Sequence, residues 1–380
     1  MPMQPPKPEP VRSEMPHANS LNGDQAGLAV DRAVGELRRG RCVAITEPEQ
    51  NFVFAAVETL SDGLLQRLIA ATPEPRLILT AERARAAKLV PEASGPVAMR
   101  ISQGTDIDAI RTLAGMSLAP TAPVEAASFE PWQGTAAPVL AAFGLAKAAR
   151  LLPALIGFDA PIINDASLHR VSLAAILEYA AATTSGMQLI SEARVPLASS
   201  EATRVALFRD EYGGSEHVAV IIGEPDLSSS VPVRLHSACL TGDLLASLRC
   251  DCGDQLSAAV TRIAELGGGV LLYLDQEGRS IGLANKLRAY SIQDTGVDTY
   301  DANRHLGFSS DERSYDIAAA MLQQLGITRV RLLTNNPRKI DALREHGIPV
   351  EGRLPLIAEP NPHNEAYLRS KRERAGHLGD

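Results

Sequence analysis

No stretch of this 380-residue chain reaches roughly 18 apolar residues without a charge, which excludes a membrane-spanning helix. The most apolar region, residues 136–157, is interrupted by Lys147 and Arg150. Glycine and proline, 29 and 25 residues, are too few for a collagenous or low-complexity chain. Positive charge is not in surplus either. Residues 1–187 carry 16 basic and 19 acidic groups and residues 188–380 carry 21 and 26, for a net charge of −8. Neither half has the charge of a general nucleic-acid coat, which leaves open a local basic pocket for a phosphorylated small molecule. The opening stretch MPMQPPKPEPVRSEMPHANS has no apolar core like that of a secretory signal, so a cytoplasmic location is expected and residues 1–24 read as a disordered tail. Cysteine is scarce, four in all. In a reducing compartment disulfides are not expected, and clustered cysteines point to metal binding or chemistry.

What is present is ordinary for a soluble globular protein: 45% hydrophobic and 22% charged residues. At about 100–200 residues per domain the length predicts two or three domains. Leu28, Val30, Ala33, Val34 and Leu37 recur at helical spacing within a helix expected over Gln25–Arg39, with Gly40 as its stop and a strand at residues 42–46. GLLQRLIAAT, PRLILT and DIDAIRTLAG continue a helix–strand alternation that predicts an α/β layered domain. Residues 118–138, rich in Ala and Pro, read as a loop or insertion, and a domain boundary is expected near residues 184–190. Beyond it, EATRVALFRDE, HVAVIIG, VPVRLHS, GVLLYL and VRLLT read as strands. GDQLSAAVTRIAEL, LANKLRAYSIQD and SYDIAAAMLQQLG read as helices.

Cys239, Cys250 and Cys252 stand within CLTGDLLASLRCDC. Three thiolates so close in sequence can converge on one ion. Structural zinc sites use four protein ligands, whereas catalytic sites keep three and leave a position for water, whose pKa falls to about 7. The alternatives are a structural site completed by His236 or Asp251, and buried free thiols. Cys42 lies far from the trio and reads as a core residue.

Three polar segments stand out beside the cysteines. In DQEGRSIGL, residues 275–283, Gly278 and Gly282 permit close backbone approach, the next helix start favours an anion, and Arg279 can fork onto a phosphate. No Walker A spacing is present, and an ordinary turn with a solvated Arg explains the same residues. LLTNNPRKI offers Thr334, Asn335, Arg338 and Lys339 at a strand end, where α/β folds bind ligands, or simply an Asn-Pro turn capping a helix. GFSSDERSY carries Asp311 and Arg313, which a solvated helix start capped by Ser309 or Ser310 also explains.

In order and spacing, RLHSACLTGDLLASLRCDCGDQL, LYLDQEGRSIGLANKLRAYSIQD, DTYDANRHLGFSSDER and RLLTNNPRK closely resemble GTP cyclohydrolase II of riboflavin biosynthesis. The ending PNPHNEAYLRSKRERAGHL is similar to that family's tail, so the likeness runs over about 190 residues, 188–380. The resemblance implies hydrolytic opening of the GTP imidazole ring at C8, with loss of formate and pyrophosphate, giving 2,5-diamino-6-(5-phosphoribosylamino)pyrimidin-4(3H)-one. It implies one zinc ion per subunit on Cys239, Cys250 and Cys252, Mg2+ with the triphosphate, and a homodimer. It assigns substrate binding to Arg234, Leu235, His236, Ser237, Gln255, Glu277, Gly278, Arg279, Thr299, Thr334 and Lys339. It makes Tyr290 a catalytic residue, Asp311 a proton acceptor and Arg313 a phosphoryl-accepting nucleophile. A guanidinium stays protonated, with a pKa above about 12, so an electrostatic role for Arg313 is physically easier.

Two positions depart from the pattern. Ala238 stands where the family often has Glu, and Ser280 where Gly is common, which a negative φ would tolerate. Residues 25–187, through AVGELRRGRCVAI, resemble a degenerate 3,4-dihydroxy-2-butanone 4-phosphate synthase domain. Where that family has an acidic, magnesium-binding stretch, this chain has TEPEQNFVFAA with only Glu47 and Glu49, and FGLAKAARLL replaces its His-containing motif. The expectation is a scaffold, dimerisation or regulatory domain without synthase activity. The alternatives for the whole chain are a homologue with another nucleotide substrate or product, and a non-catalytic zinc- and nucleotide-binding regulator.

Overall fold

Short apolar runs separated by helical segments build two seven-stranded sheets, one in each half of the chain. The computed structural model describes residues 25–380 except 73, 91, 118–128, 161–164, 211, 213, 357–360, 366–368, 370–372, 375 and 377–380. The tail expected over residues 1–24 and part of the family-like ending lie outside the described residues.

The first sheet holds β1 (Val43–Thr46), β2 (Asn51–Ala56), β3 (Arg76–Leu79), β4 (Val97–Arg100), β5 (Phe129–Pro131), β6 (Ala154–Ala160) and β7 (His169–Ser172), in the order β5-β4-β3-β6-β2-β1-β7. Only β1 and β7 run parallel. Its helices are α1 (Gln25–Arg38), α2 (Asp62–Ala71), α3 (Ala81–Ala86), α4 (Ile107–Leu113), α5 (Ala136–Ala148) and α6 (Leu173–Ser185). One face packs Val43, Ile45, Phe52 and Phe54 against α1, α5 and α6, and the other packs Ala44, Val53 and Ala55 against α2, α3 and α4. A sheet covered on both faces needs strands apolar at every position, and β2 is buried along its whole length.

Residues 118–138 are not one loop. Phe129–Pro131 pairs with β4, and α5 starts at Ala136. A three-residue edge strand is too short to show alternation in sequence, and Pro138 sits in the first turn of α5, where a missing N–H costs nothing.

The second sheet holds β8 (Gln188–Arg194), β9 (Thr203–Arg209), β10 (Glu216–Gly223), β11 (Val231–Ser237), β12 (Gly268–Leu274), β13 (Val330–Leu333) and β14 (Val350–Leu354), in the order β14-β13-β11-β12-β10-β9-β8. β14, β13, β11 and β12 are parallel, and β10, β9 and β8 add antiparallel strands. α7 (Cys252–Glu265), α8 (Gly282–Gln293), α9 (Thr299–His305), α10 (Asp316–Gln324) and α11 (Pro337–Glu345) complete this half. The mixed α/β class expected from the sequence is therefore present in both halves. The carboxyl ends of β11, β12 and β13 open into three polar segments, the place where α/β sheets hold ligands.

The halves share a seam. Leu152 packs with Ile281, Ala289, Ile292, Ala302, Leu306 and Phe308 in one small core. Thr80 Oγ1 donates to the Gly307 carbonyl (2.8 Å) and Arg83 Nη1 to the His305 carbonyl (2.7 Å). Arg288 pairs with Glu58 (2.9 Å), Lys147 with Glu312 (2.8 Å), and Arg150 with Asp275.

Candidate functional site

Cys239 follows β11. The backbone makes one wide turn over Leu240–Leu244 and returns at Cys250 and Cys252, the latter opening α7. The three sulfurs all lie within 4.8 Å of one another, with Cys239 and Cys250 3.7 Å apart. Three thiolates on one tetrahedral ion at about 2.3 Å stand about 3.8 Å from each other, so the trio fits a metal. Gly242 makes the convergence possible: a Cβ there would stand 2.8 Å from Cys250 Sγ and 3.0 Å from Cys239 Sγ. Its N–H donates to Cys239 Sγ (3.3 Å). No fourth ligand joins the trio among the described residues. His236 Nε2 sits 3.0 Å from the Asp243 carboxylate, and Asp251 accepts from Gln255 Nε2 (2.5 Å).

Lys286, on α8, donates to Cys239 Sγ (3.0 Å), Thr241 Oγ1 (2.9 Å) and Glu277 Oε1 (2.8 Å). Donation from the Cys250 and Cys252 thiols, with this ammonium beside it, pushes Cys239 well below the usual thiol range. Hydrogen bonding to Cys239 pushes Cys250 up. Of this pair, Cys239 is the one whose surroundings favour the thiolate that a metal requires. Burial works to lower Lys286, but the thiolate and Glu277 overcome it and hold the ammonium charged.

A buried brace fixes the turn. Asp243 accepts from the Cys239 N–H (2.9 Å), from Tyr273 OH (2.9 Å) and from His236, whose ring stacks on Tyr273. Burial outweighs Asp243 and holds His236 below its ordinary value, so the ring is neutral at pH 7. With Nε2 donating to Asp243, Nδ1 is left as a buried acceptor without a partner among the described residues, at the pocket wall.

The sulfurs line one part of a cleft enclosing about 1380 Å³, open mouth included. Arg234, Arg249, Arg279, Arg313, Arg338 and Lys339 line it against Glu277 and Asp311. Arg234 is buried. It donates to the Leu333 carbonyl (2.9 Å) and Gln255 Oε1 (2.6 Å), and burial brings its pKa down to about 10. Lys339 Nζ donates to the Leu235 carbonyl (2.7 Å). Thr334 Oγ1 accepts from the Asn336 N–H, and Asn336 caps α11, so the Asn-Pro turn both caps a helix and lines the cleft. Ser237, Gln255, Gly278 and Thr299 also line it. Leu235 does not: side chains alternate along β11, which aims Arg234 and His236 at the cleft and Leu235 into the core.

The segment after β12 is a run of left-handed backbone, with φ of +63° at Gly278, +64° at Arg279, +71° at Ser280 and +82° at Gly282. The negative φ that would ease a serine at position 280 is not what occurs, and a non-glycine residue held this way costs about 1–2 kcal/mol. Arg279 is half-buried and partnered rather than a free surface side chain: its guanidinium lies 4.2 Å from the Tyr300 ring centroid and donates to the Ser310 carbonyl (3.2 Å). Nor do Asp311 and Arg313 form a solvated helix start. They make a two-pronged ion pair (2.8 and 2.7 Å), and Arg313 overcomes the effect of burial to hold the Asp311 carboxyl below the usual range. Neither Ser309 nor Ser310 caps α10, which starts only at Asp316. The Ser309 N–H instead donates to Glu312 (2.7 Å).

Tyr290 lies on α8 with the Arg249 guanidinium 4.5 Å and the Lys286 ammonium 5.7 Å from its ring centroid. Burial raises its phenol above the ordinary value, keeping the proton on. Arg249 and Lys286 were not singled out from the sequence. Lys286 had a legible signal, since it stands four residues before Tyr290 and so on the same helix face.

A profile described as GTP cyclohydrolase II matches residues 188–355. The GTP cyclohydrolase-2 of Azospirillum brasilense is 45% identical over 97% of this chain and 98% of its own. That of Xylella fastidiosa is 39% identical over 93% and 88%. That of Escherichia coli is 53% identical over 50% of this chain and 98% of its own, a relative about half as long. A solved two-domain 3,4-dihydroxy-2-butanone 4-phosphate synthase from A. baumannii overlaps 87% of this chain and 99% of its own at 16% identity, with a TM-score of 0.31 that carries no argument.

Proposed function

This chain belongs to the GTP cyclohydrolase II family, and on that premise we propose a zinc-dependent hydrolysis of GTP. The imidazole ring opens, formate and pyrophosphate leave, and 2,5-diamino-6-(5-phosphoribosylamino)pyrimidin-4(3H)-one is formed, the entry to riboflavin biosynthesis. The observation that carries the reading is the convergence of Cys239, Cys250 and Cys252, without a fourth protein donor among the described residues, on the wall of a cationic cleft. Zinc held there supplies an activated water at neutral pH.

The rest is the work of this chain's side chains. Tyr290, protonated at pH 7, is placed to give a proton to a ring nitrogen. Arg234, Arg279 and Lys339 offer donors to the triphosphate oxygens, and Mg2+ is proposed to enter with the triphosphate. Arg313, locked onto Asp311 by two hydrogen bonds, acts by charge on the transferring phosphoryl group rather than as a nucleophile. Glu277 is committed to Lys286 and to the Leu240 N–H (2.6 Å), so it braces the Cys239 turn as well as lining the cleft. The assembly proposed is a cytoplasmic homodimer. The first half is proposed as a scaffold without synthase turnover, because the apolar residues following Glu49 form the buried strand β2.

The test is to incubate zinc-loaded protein with GTP and Mg2+ and quantify formate, pyrophosphate and nucleotide product together. Equal amounts of the three are expected, and ribulose 5-phosphate in a parallel arm is expected to remain unconverted. Formate without pyrophosphate would point to a different product, and no formate would overturn the reading.

A further inference from the structure

Between Gly307 and Ser314 the chain has no helix or strand, yet it carries Asp311 and Arg313. Its order must come from side chains. Arg279 and Asn303 donate to the Ser310 carbonyl (3.2 and 3.5 Å), and Gln276 donates to that of Ser314 (2.5 Å). Further ties come from the other half of the molecule. Thr80 and Arg83 hold the carbonyls of Gly307 and His305, and Leu152 packs with Phe308. Lys147, on the last turn of α5, reaches Glu312, which stands between Asp311 and Arg313 in sequence.

The Glu312 contact differs from the others in kind. Its Oε1 accepts at once from Lys147 Nζ (2.8 Å) and from the Ser309 N–H (2.7 Å), closing the loop on itself. Ser309 Oγ in turn donates to the Asp311 carbonyl (3.0 Å). Both charged side chains are largely shielded, 32% and 18% exposed, so the pair is less screened than one on the surface. Burial alone would raise the Glu312 carboxyl, but Lys147 and the Ser309 N–H hold it below its ordinary value.

We propose that Lys147 is a positioning residue for the reaction carried by the second half: its ion pair with Glu312 fixes the 309–313 loop and so the aim of Arg313. This rests on the function proposed above. Remote geometry matters because a misplacement near 1 Å at a reacting group can cost about a hundredfold in rate.

Two readouts test it, one of them independent of turnover. Hydrogen exchange over residues 305–315, without substrate, is expected to quicken at least about tenfold in Lys147→Met and to return in Lys147→Arg. In the GTP assay, Lys147→Met is expected to lower kcat about tenfold to a hundredfold at unchanged KM and zinc content, again with recovery in Lys147→Arg. Glu312→Gln, which keeps an acceptor for Ser309 but loses the ion pair, is expected to match it, and the double variant to be no worse than either single one. Unchanged exchange and kcat in Lys147→Met, or losses that multiply in the double variant, would overturn the proposal. A wild-type protein that releases no formate would instead overturn the functional reading, with the exchange result still deciding the role of Lys147.

Discussion

Cys42 and Cys239 are the same residue in two halves that each carry a seven-stranded sheet, and their chemistry runs in opposite directions. Cys42 packs against the first sheet's core, where burial pushes its thiol up to about 11. Cys239 is also buried, but two thiols and the Lys286 ammonium surround it and push it far down. Burial by itself makes a thiol inert, and what makes Cys239 a candidate metal ligand is its company at a strand's carboxyl end. The contrast extends to whole strands. β2 is apolar on both faces and ends in core, whereas β11 alternates and delivers Arg234, His236 and then Cys239 to a cleft.

The sharpest way to break that contrast is to remove a ligand. Cys250→Ser is expected to abolish zinc retention and all GTP turnover, read by metal analysis and formate release on one sample. A serine variant that kept stoichiometric zinc and full activity would place the metal elsewhere. Cys42 offers the control, because its substitution is expected to leave both readouts intact.

The next effect in size separates metal from proton transfer within the same half. Tyr290→Phe keeps the ring that packs with Arg249 and Lys286 and removes only the hydroxyl. Zinc content and GTP binding are expected to be unchanged while ring opening falls by about 10²–10⁴-fold. Normal turnover in this variant would reassign the proton donor.

The contrast also explains what could be read in the sequence. The site was legible where polar residues interrupt an apolar run at a strand end: His236 to Cys239, Glu277 to Arg279 and Thr334 to Lys339 all announce themselves this way. The Leu235 side chain faces the core rather than the cleft, because side chains alternate with a period of two along a strand, which a block of neighbouring residues ignores. Lys286 was not singled out because its partner Cys239 lies 47 residues away, and helix-face geometry is needed to bring it near the sulfurs. In the first half only the alternation of elements was legible. β5 is three residues long, and the polar seam contacts join residues 125 or more apart, such as Lys147 with Glu312 across 165. Such pairings follow from tertiary packing alone. The left-handed φ of Ser280 belongs with them, since nothing in its side chain calls for it.

The smallest effect concerns whether the halves are two units or one. Leu152 belongs to the first half by sequence, yet its fully buried side chain completes a core made from α8, α9 and Phe308. Removing it leaves a cavity between the halves rather than within either, so Leu152→Ala is expected to cost about 2–5 kcal/mol while both sheets keep their own cores. The chain's single tryptophan, Trp132, sits against Phe52 in the first half, so its fluorescence on heating reports that half alone. Loss of GTP turnover over the same heating range reports the second. In the wild type the two transitions are expected to coincide, because the shared core and the ion pairs of Glu58, Lys147 and Arg150 melt as one. In Leu152→Ala they are expected to separate, with turnover lost first, since the 305–313 segment leans on that seam and Trp132 does not. Transitions that stay superimposed in the variant would mean that hydrogen bonds and ion pairs join the halves without the help of Leu152. Transitions already apart in the wild type would mean that the first half is carried by the enzyme rather than built into it.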